Sequence, residues 1–397
     1  MKILITTDLY PPSVNGVVTS VLSLAHGLEA RGHEVRILTL SDTVHTRTEG
    51  NVTRLGSLGL GWIYPGIRIR GGCPAGVLRE LVAWSPDVVH SQCEFSTFRM
   101  AWAVARRCHV PLIHTCHTVY EDYTHYFSPC VRVGRGLAAR FMRRIAGKTD
   151  AVIAPTEKVR QLLLSYGVKA PIAVIPTGTE EQESAQPAPG QLAELRRTLG
   201  IAEGKRVLLY LGRLAKEKNL PALLRLAEHP KLRDAVLVFV GDGPYRAELE
   251  RQACAPELRD RVRFVGAVPH SEVERYYRLG DVFVNASESE TQGLTYAETM
   301  AAGIPVVCKT DPCVSGLLES GRNGFACADE DEMADAIERL FNDGNLRREI
   351  VGAARETVGR GYTSEVFAAA VEALYLLTAE RLAKETVSDC VEADGKG

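Results

Sequence analysis

Short apolar, β-branched runs recur along this chain, each followed by a stretch with helical periodicity. That alternation admits few architectures, because it is the pattern of strand–helix–strand units wound into a parallel sheet. A first series reads Lys2–Thr7, Glu34–Leu40, Asp87–His90, Pro111–Thr115, Ala151–Ala154 and Ile172–Ile175. Between its first two members, after the loop LYPPSVNG, the spacing predicts a helix from Gly16 to about Gly32. The series breaks at Ser184-Ala185-Gln186-Pro187-Ala188-Pro189-Gly190, the most linker-like stretch of the chain. A second series follows: Arg206–Leu211, Val236–Val240, Val262–Val265, Asp281–Asn285 and Pro305–Cys308. The expected fold is α/β, with two Rossmann-like, doubly wound parallel-sheet domains in tandem. A length of 397 residues agrees, since single cores stop growing near about 250–300 residues. The last helix is expected over about 364–382, followed by a mobile polar tail, KETVSDCVEADGKG.

Composition removes other classes. With 45% apolar and 24% charged residues and no low-complexity tract, the chain is neither disordered, collagenous nor coiled-coil. Met1 runs directly into the first strand, and no apolar run approaches the roughly 20 residues of a spanning helix. The expectation is therefore a cytoplasmic protein, neither secreted nor integral to a membrane. Ten cysteines show no CxxC pair and no zinc-like spacing, which reads as free thiols in a reducing compartment. The net charge of −2 is unevenly spread: through Gly178 there are 20 Lys+Arg against 12 Asp+Glu, and beyond it 27 against 37. A basic half can serve an anionic surface or ligand while the acidic half stays solvated.

In open parallel sheets, ligands bind beyond the carboxyl ends of the strands, where helix N-termini favour anions. Two such sheets facing each other would enclose a cleft. The strongest constellation at such a place is Ser287-Glu288-Ser289-Glu290-Thr291-Gln292-Gly293-Leu294-Thr295-Tyr296-Ala297-Glu298, then TMAAGIPVV. Glu290 precedes a helix that opens near Gly293, and Glu298 lies within it. The N–H groups of Gln292, Gly293 and Leu294 suit polar or anionic ligand atoms, and Glu298 suits a pair of vicinal hydroxyls. An acidic, solvated helix start complementing the helix dipole fits the same spacing.

The Glu-x7-Glu spacing, with PPSVNGVVTSV, HTVYEDY, IPTGT, LGRLAKEKNL and VGDGP in order along residues 1–380, resembles the retaining glycosyltransferases of family four, which have the GT-B fold. The resemblance implies an N-terminal acceptor and membrane-binding domain over 1–177, a nucleotide-sugar domain over 178–362, and a final helix, about 363–384, crossing back to the first. It makes Arg213 and Lys218 the clamp on the donor diphosphate, stabilising charge where it develops. It makes Gly16 the glycine that lets backbone N–H groups approach that diphosphate. It casts Glu298 as the ribose-hydroxyl acceptor, and Glu290 as the group holding hydroxyls of the transferred sugar. His117, after the strand ending PLIHTC, would lie beside the donor sugar; His114 and His125 lack its strand-end placement. No cofactor is implied, and no metal is demanded, because the two cations do the work of a divalent ion.

The acceptor is read from the N-terminal half. HTVYEDYTHYF, with SETQGLTYAE, is similar to bacterial diacylglycerol glucosyltransferases. Tyr120, Tyr123, Tyr126 and Phe127 would line an apolar path, with Glu121 or Asp122 orienting the glycerol hydroxyl. Arg132, Arg135, Arg140, Arg143, Arg144 and Lys148 follow with no acidic residue among them. Helical spacing puts Leu137, Ala138, Phe141, Met142 and Ile145 on one side and most arginines on the other, as in a helix lying on an anionic leaflet. A helix packed on the sheet with a solvated basic face has the same pattern. The loop GLGWIYPGIRIRGG, residues 59–72, with Trp62, Ile63, Tyr64 and Ile67 beside Arg68 and Arg70, is a second interfacial candidate.

The expected reaction is transfer of a hexose, glucose from UDP-glucose, to diacylglycerol at the inner face of the membrane, with retention. The rivals are a UDP-galactose donor, GDP-mannose transfer to phosphatidylinositol, a nucleotide-sugar epimerase, and a non-catalytic binding module. A nucleic-acid partner is not expected. Sugar identity, acyl preference and oligomeric state are not legible.

Overall fold

The computed structural model describes residues 1–59, 68–119, 121, 131–179 and 190–394, apart from the side chains of 131, 132, 270, 271 and 386–394. Tyr120, Asp122, Tyr123, His125, Tyr126 and Phe127, the side chain of Arg132, the apolar centre of the 59–72 loop and nearly all of the 184–190 linker lie outside the described residues. The chain divides into two compact units, Met1–Gly178 with the segment from Ser364 onward, and Thr179–Thr363.

The first unit runs β1 (Lys2–Thr6), α1 (Gly16–Ala30), β2 (Glu34–Leu40), β3 (Arg47–Glu49), β4 (Val52–Leu55), β5 (Leu58–Gly59), β6 (Arg68–Ile69), α2 (Ala75–Trp84), β7 (Val88–Ser91), α3 (Ser96–Cys108), β8 (Leu112–Thr115), α4 (Val131–Ala146), β9 (Ala151–Ala154), α5 (Glu157–Ser165) and β10 (Ile172–Val174). Its main sheet has the order β10-β9-β8-β7-β1-β2-β4-β3, parallel except for the β3–β4 pair. Both faces are covered, which is why β8 and β9 are wholly buried rather than alternating. Ile3 and Ile5 pack with Val21, Leu24 and Leu28 of α1, while Leu4, on the opposite face, packs with Leu81, Phe98 and Val104 of α2 and α3. Each such fully buried side chain contributes about 1.5–3 kcal/mol.

The second unit runs α6 (Gln191–Thr198), β11 (Arg206–Leu211), α7 (Leu220–Glu228), β12 (Ala235–Val240), α8 (Arg246–Gln252), β13 (Val262–Gly266), α9 (His270–Leu279), β14 (Val282–Asn285), α10 (Leu294–Ala302), β15 (Val306–Lys309), β16 (Phe325–Cys327), α11 (Glu330–Asn342) and α12 (Gly344–Gly361). Its sheet, all parallel, has the order β13-β12-β11-β14-β15-β16. Leu208 and Tyr210 pack with Leu223 and Ile337 on one face, Val207 and Leu209 with Tyr277 and Met300 on the other.

The final helix, α13 (Ser364–Asp394), belongs to the first unit. It crosses α1 at Gly27, where an added Cβ would stand 2.6 Å from Ala368 Cβ and 2.8 Å from the Ser364 carbonyl oxygen. Any side chain there would push the helices apart. Ser23 Oγ donates to the Gly178 carbonyl at 2.9 Å and lies 2.8 Å from Ser364 Oγ, and Glu372 accepts from Arg31 Nε at 2.6 Å. The helix is longer than the 364–382 expected: it continues through the polar stretch from Lys384 to Asp394. No Gly or Pro interrupts it from Ser364 onward, and Ala, Glu and Lys are good helix formers.

The expected faces of α4 also need correction. Ala138, Met142 and Ile145 are buried, but Leu137 is 55% exposed and Val133 56%. Val133, Leu137, Arg140 and Arg144 follow one another at helical spacing, so the outward face mixes aliphatic and cationic side chains. Satisfying the sheet takes only three of the five apolar residues expected inward to be fully buried, with Phe141 partly exposed.

Candidate active site

In the second unit, Arg213 follows the end of β11 in a loop that closes into a single 3-10 turn, Lys216–Lys218, before α7. The loop is stitched to the end of β12 and the chain just after it: Gly212 N–H donates to the Val240 carbonyl and Leu214 N–H to the Asp242 carbonyl, both at 3.0 Å. Lys218 Nζ donates to Glu290 Oε1 at 2.8 Å, with both side chains about 15% exposed. Arg213 pairs with the nearly buried Glu217, four residues on. Ser289 Oγ donates to the Glu217 carbonyl at 2.9 Å, so the loops after β11 and β14 are held together by backbone as well as by charge.

Gly293 caps α10 with φ +74°, a left-handed conformation, and a Cβ there would stand 2.3 Å from the Tyr296 ring. Only glycine meets both demands. Gln292, Gly293 and Leu294 thus form the N-terminal turn of α10, beside Glu290. One turn into the helix, Glu298 Oε2 accepts from the Tyr277 hydroxyl at 2.6 Å, which fixes the carboxylate's orientation. The sequence-predicted residues Arg213, Lys218, Glu290, Gln292, Gly293, Leu294 and Glu298 all fall on the carboxyl-end side of one sheet. Glu217, Ser289 and Tyr277 were not anticipated. The Arg-x3-Glu spacing in RLAKEK was the available signal for Glu217; Tyr277 carried none, because its contact with Glu298 depends on how α9 lies against α10.

In the first unit, Gly16 opens α1, exposed, behind Asn15, whose Oδ1 accepts from the N–H groups of Val17 and Val18 at 3.1 Å each. His117 lies just past β8 and keeps partial access to solvent. Burial of the ring pushes its pKa down to about 4, against the pull of Glu94, so the imidazole is neutral at pH 7. Its Nε2 is 2.6 Å from Gln92 Oε1. His114, inside β8, is fully buried, with Nδ1 3.1 Å from the Ser91 carbonyl oxygen and Nε2 3.5 Å from Glu94. Asp8, at the end of β1, is lifted by burial to about 6 while its Oδ1 accepts from Thr97 N–H at 2.9 Å. Glu121 pairs with Arg135 at 2.8 Å, and Lys148 lies 4.4 Å from the centre of the Trp102 ring. Arg140, Arg143 and Arg144 are exposed on α4, and Phe95, 53% exposed, stacks on Phe141 at 5.7 Å. Among the described residues, no helix is long and apolar enough to cross a membrane.

Comparison with known proteins follows this division. Residues 14–183 match the model of glycosyltransferase family 4, and residues 192–357 that of the glycosyl transferases group 1. The chain is 38% identical to an alpha-monoglucosyldiacylglycerol synthase of Streptococcus pneumoniae, over 85% of this chain and 77% of that protein. It is 29% identical to the synthase of the same name from Acholeplasma laidlawii, over 95% and 97%. Among solved structures, the Anabaena HepE protein in complex with UDP and glucose superposes with a TM-score of 0.72 at 20% identity, covering 94% of this chain and 99% of that one. The sucrose-phosphate synthase of Thermosynechococcus elongatus gives 0.72 at 21% identity, covering 95% and 98%. Both likenesses show the GT-B fold.

Proposed function

The chain belongs to glycosyltransferase family 4, and on that premise we propose that it transfers glucose from UDP-glucose to the free hydroxyl of diacylglycerol, forming α-glucosyl-diacylglycerol at the cytoplasmic face of the membrane. The observation that carries this reading is the identity with two alpha-monoglucosyldiacylglycerol synthases across most of the chain. The chemistry of the second unit supports it. Arg213 and Lys218 are two cations on the one loop that follows β11, suited to the diphosphate as the glycosidic bond breaks. The α10 N-terminus at Gln292–Leu294 adds backbone donors, and Glu298, oriented by Tyr277, receives ribose hydroxyls. In the second unit Glu290 receives hydroxyls of the glucose; in the first, the family resemblance assigns the neutral His117 to a sugar hydroxyl and Gly16 to backbone contact with a diphosphate. The acceptor oxygen bonds to the anomeric carbon on the face the diphosphate leaves, and a phosphate oxygen takes its proton. This use of two side-chain cations needs no divalent ion.

The mixed face of α4 supports docking on an anionic membrane. Val133 and Leu137 would enter the headgroup layer while Arg140, Arg143 and Arg144 meet lipid phosphates, each basic residue adding up to about 1 kcal/mol. Arg135 and Lys148 already have neighbours in Glu121 and Trp102 and contribute less. Tyr120, Asp122 and Tyr123, with Glu121, are assigned to the acceptor by their position beside His117 in the chain.

The test is a product assay on vesicles holding diacylglycerol and anionic lipid, with UDP-glucose, UDP-galactose and GDP-mannose offered separately. An α-glucosyl lipid from UDP-glucose alone, undiminished by chelator, is expected. Product from another donor moves the donor assignment, and donor hydrolysis without glycolipid removes the acceptor. Loss of product with chelator, restored by metal, removes the two-cation account.

A further inference from the structure

His117 does not stand alone. Its Nε2 lies 2.6 Å from Gln92 Oε1, and Gln92 Nε2 lies 3.2 Å from Nε2 of His90. His90 Nε2 is also 2.7 Å from Thr115 Oγ1, and its Nδ1 is 2.6 Å from the hydroxyl of Tyr375, in α13. The Tyr375 and His90 rings meet edge to face at 5.6 Å. His90, Gln92, Thr115 and Tyr375 are each no more than 1% exposed, so water does not compete for these contacts.

The chemistry of each atom sets a direction. An amide oxygen only accepts, so His117 carries its proton on Nε2 and donates it to Gln92. The amide nitrogen of Gln92 only donates, so His90 Nε2 is an acceptor. The His90 proton then sits on Nδ1 and is donated to the Tyr375 oxygen. We propose that Gln92 is a positioning residue that locks His117 in the Nε2–H tautomer and turns its Nδ1 lone pair toward a substrate hydroxyl, with His90 and Tyr375 holding Gln92 in that orientation. A neutral imidazole with a free Nδ1 accepts a hydrogen bond from a hydroxyl. The opposite tautomer would need a hydroxyl to accept instead, and an epimer with its hydroxyl elsewhere would lose the contact. Among the described residues, the groups facing His117 are Gln92 and Glu94 from the chain after β7, His90 from β7 and His114 from β8; of these, Glu94 favours protonation and His114 opposes it. Using Nδ1 for the transferred sugar rests on the reaction proposed above, whereas the tautomer itself does not.

The experiment reads nitrogen-15 chemical shifts and two-bond proton–nitrogen correlations of the histidine rings in the full-length protein without substrate, His117 being assigned by His117→Asn. The wild type is expected to show the Nε2–H form at pH 7. Gln92→Leu should convert His117 to a mixture of tautomers and lower kcat about tenfold. Gln92→Glu keeps an acceptor and adds a charge, so it should retain the tautomer while moving the acid limb of the pH–rate profile upward by about 1–3 units. Tyr375→Phe should loosen the tautomer preference and lower kcat a few-fold, with UDP-glucose KM little changed. An Nδ1–H tautomer in the wild type overturns the proposal, as does an unaltered His117 tautomer and pKa in both Gln92 variants. Should the spectra be as expected and no glucolipid form, the proposed reaction fails and the tautomer assignment stands.

Discussion

The candidate site of the second unit is built from full charges, whereas the histidines at that of the first are kept neutral. Lys218 with Glu290 and Arg213 with Glu217 are ion pairs on loops at strand ends, while His90 and His117 are held well below their ordinary pKa by burial. The difference follows from the proposed tasks. A diphosphate brings charge to be met by charge, which these loops hold because each cation has a carboxylate partner that offsets its desolvation. A sugar hydroxyl needs an oriented neutral acceptor, which a buried network supplies because each group there has its direction set by the next.

Removing charge from the second unit should have the largest effect. Lys218→Ala or Glu290→Gln is expected to lower kcat by about 10²–10³-fold, the range for loss of one group aimed at developing charge. The unfolding temperature should fall only modestly: both side chains are about 15% exposed, so leaving one partner unpaired costs on the order of 1–3 kcal/mol, too little to unfold the chain. An equal loss of folding would make the pair structural and erase the contrast between the units.

Next in size is the exposed charge of the first unit. Reversing Arg140, Arg143 and Arg144 together to Glu should weaken binding to anionic vesicles on the order of 100-fold at low salt. Binding of UDP-glucose, read by calorimetry, should be unchanged. Unaltered vesicle binding would sink docking by α4.

The smallest effect concerns a buried carboxyl of the first unit. Asp8 has a folded pKa of about 6 against an ordinary 3.8, so the folded chain holds its proton more tightly than the unfolded one. Its contribution is therefore fully present below pH 3.8 and lost as pH rises through 6. Relative to Asp8→Asn, the wild type should lose on the order of 1–3 kcal/mol of stability between pH 4 and pH 7, read by denaturant titration, with a constant difference above pH 7. A difference independent of pH would show that Asp8 titrates normally and that burial does not hold its proton.

Where side chains are placed by neighbours close in the chain, they were legible beforehand. Gly293, Glu290 and Glu298 lie within nine residues, and a strand end, a left-handed glycine and one helical turn settle their arrangement. The α4 face was misjudged because periodicity says which residues share a side, not how much of that side the sheet covers, and Leu137 was left outside. The end of the last helix was misjudged because polarity was read as the helix stopping, although Ala, Glu and Lys without Gly or Pro propagate a helix.

By itself, then, the sequence determined two parallel-sheet units, the loops that leave their strands, and the charged residues on those loops, because period, turn glycines and residue chemistry act over a few residues. Only the tertiary structure decided that Lys218 meets Glu290, 72 positions away, and that Tyr277 orients Glu298. It alone brought Tyr375 of the last helix onto His90, 285 positions earlier. Such contacts depend on how helices seat on a sheet, and that is set by the packing of the whole core rather than by any local run of residues.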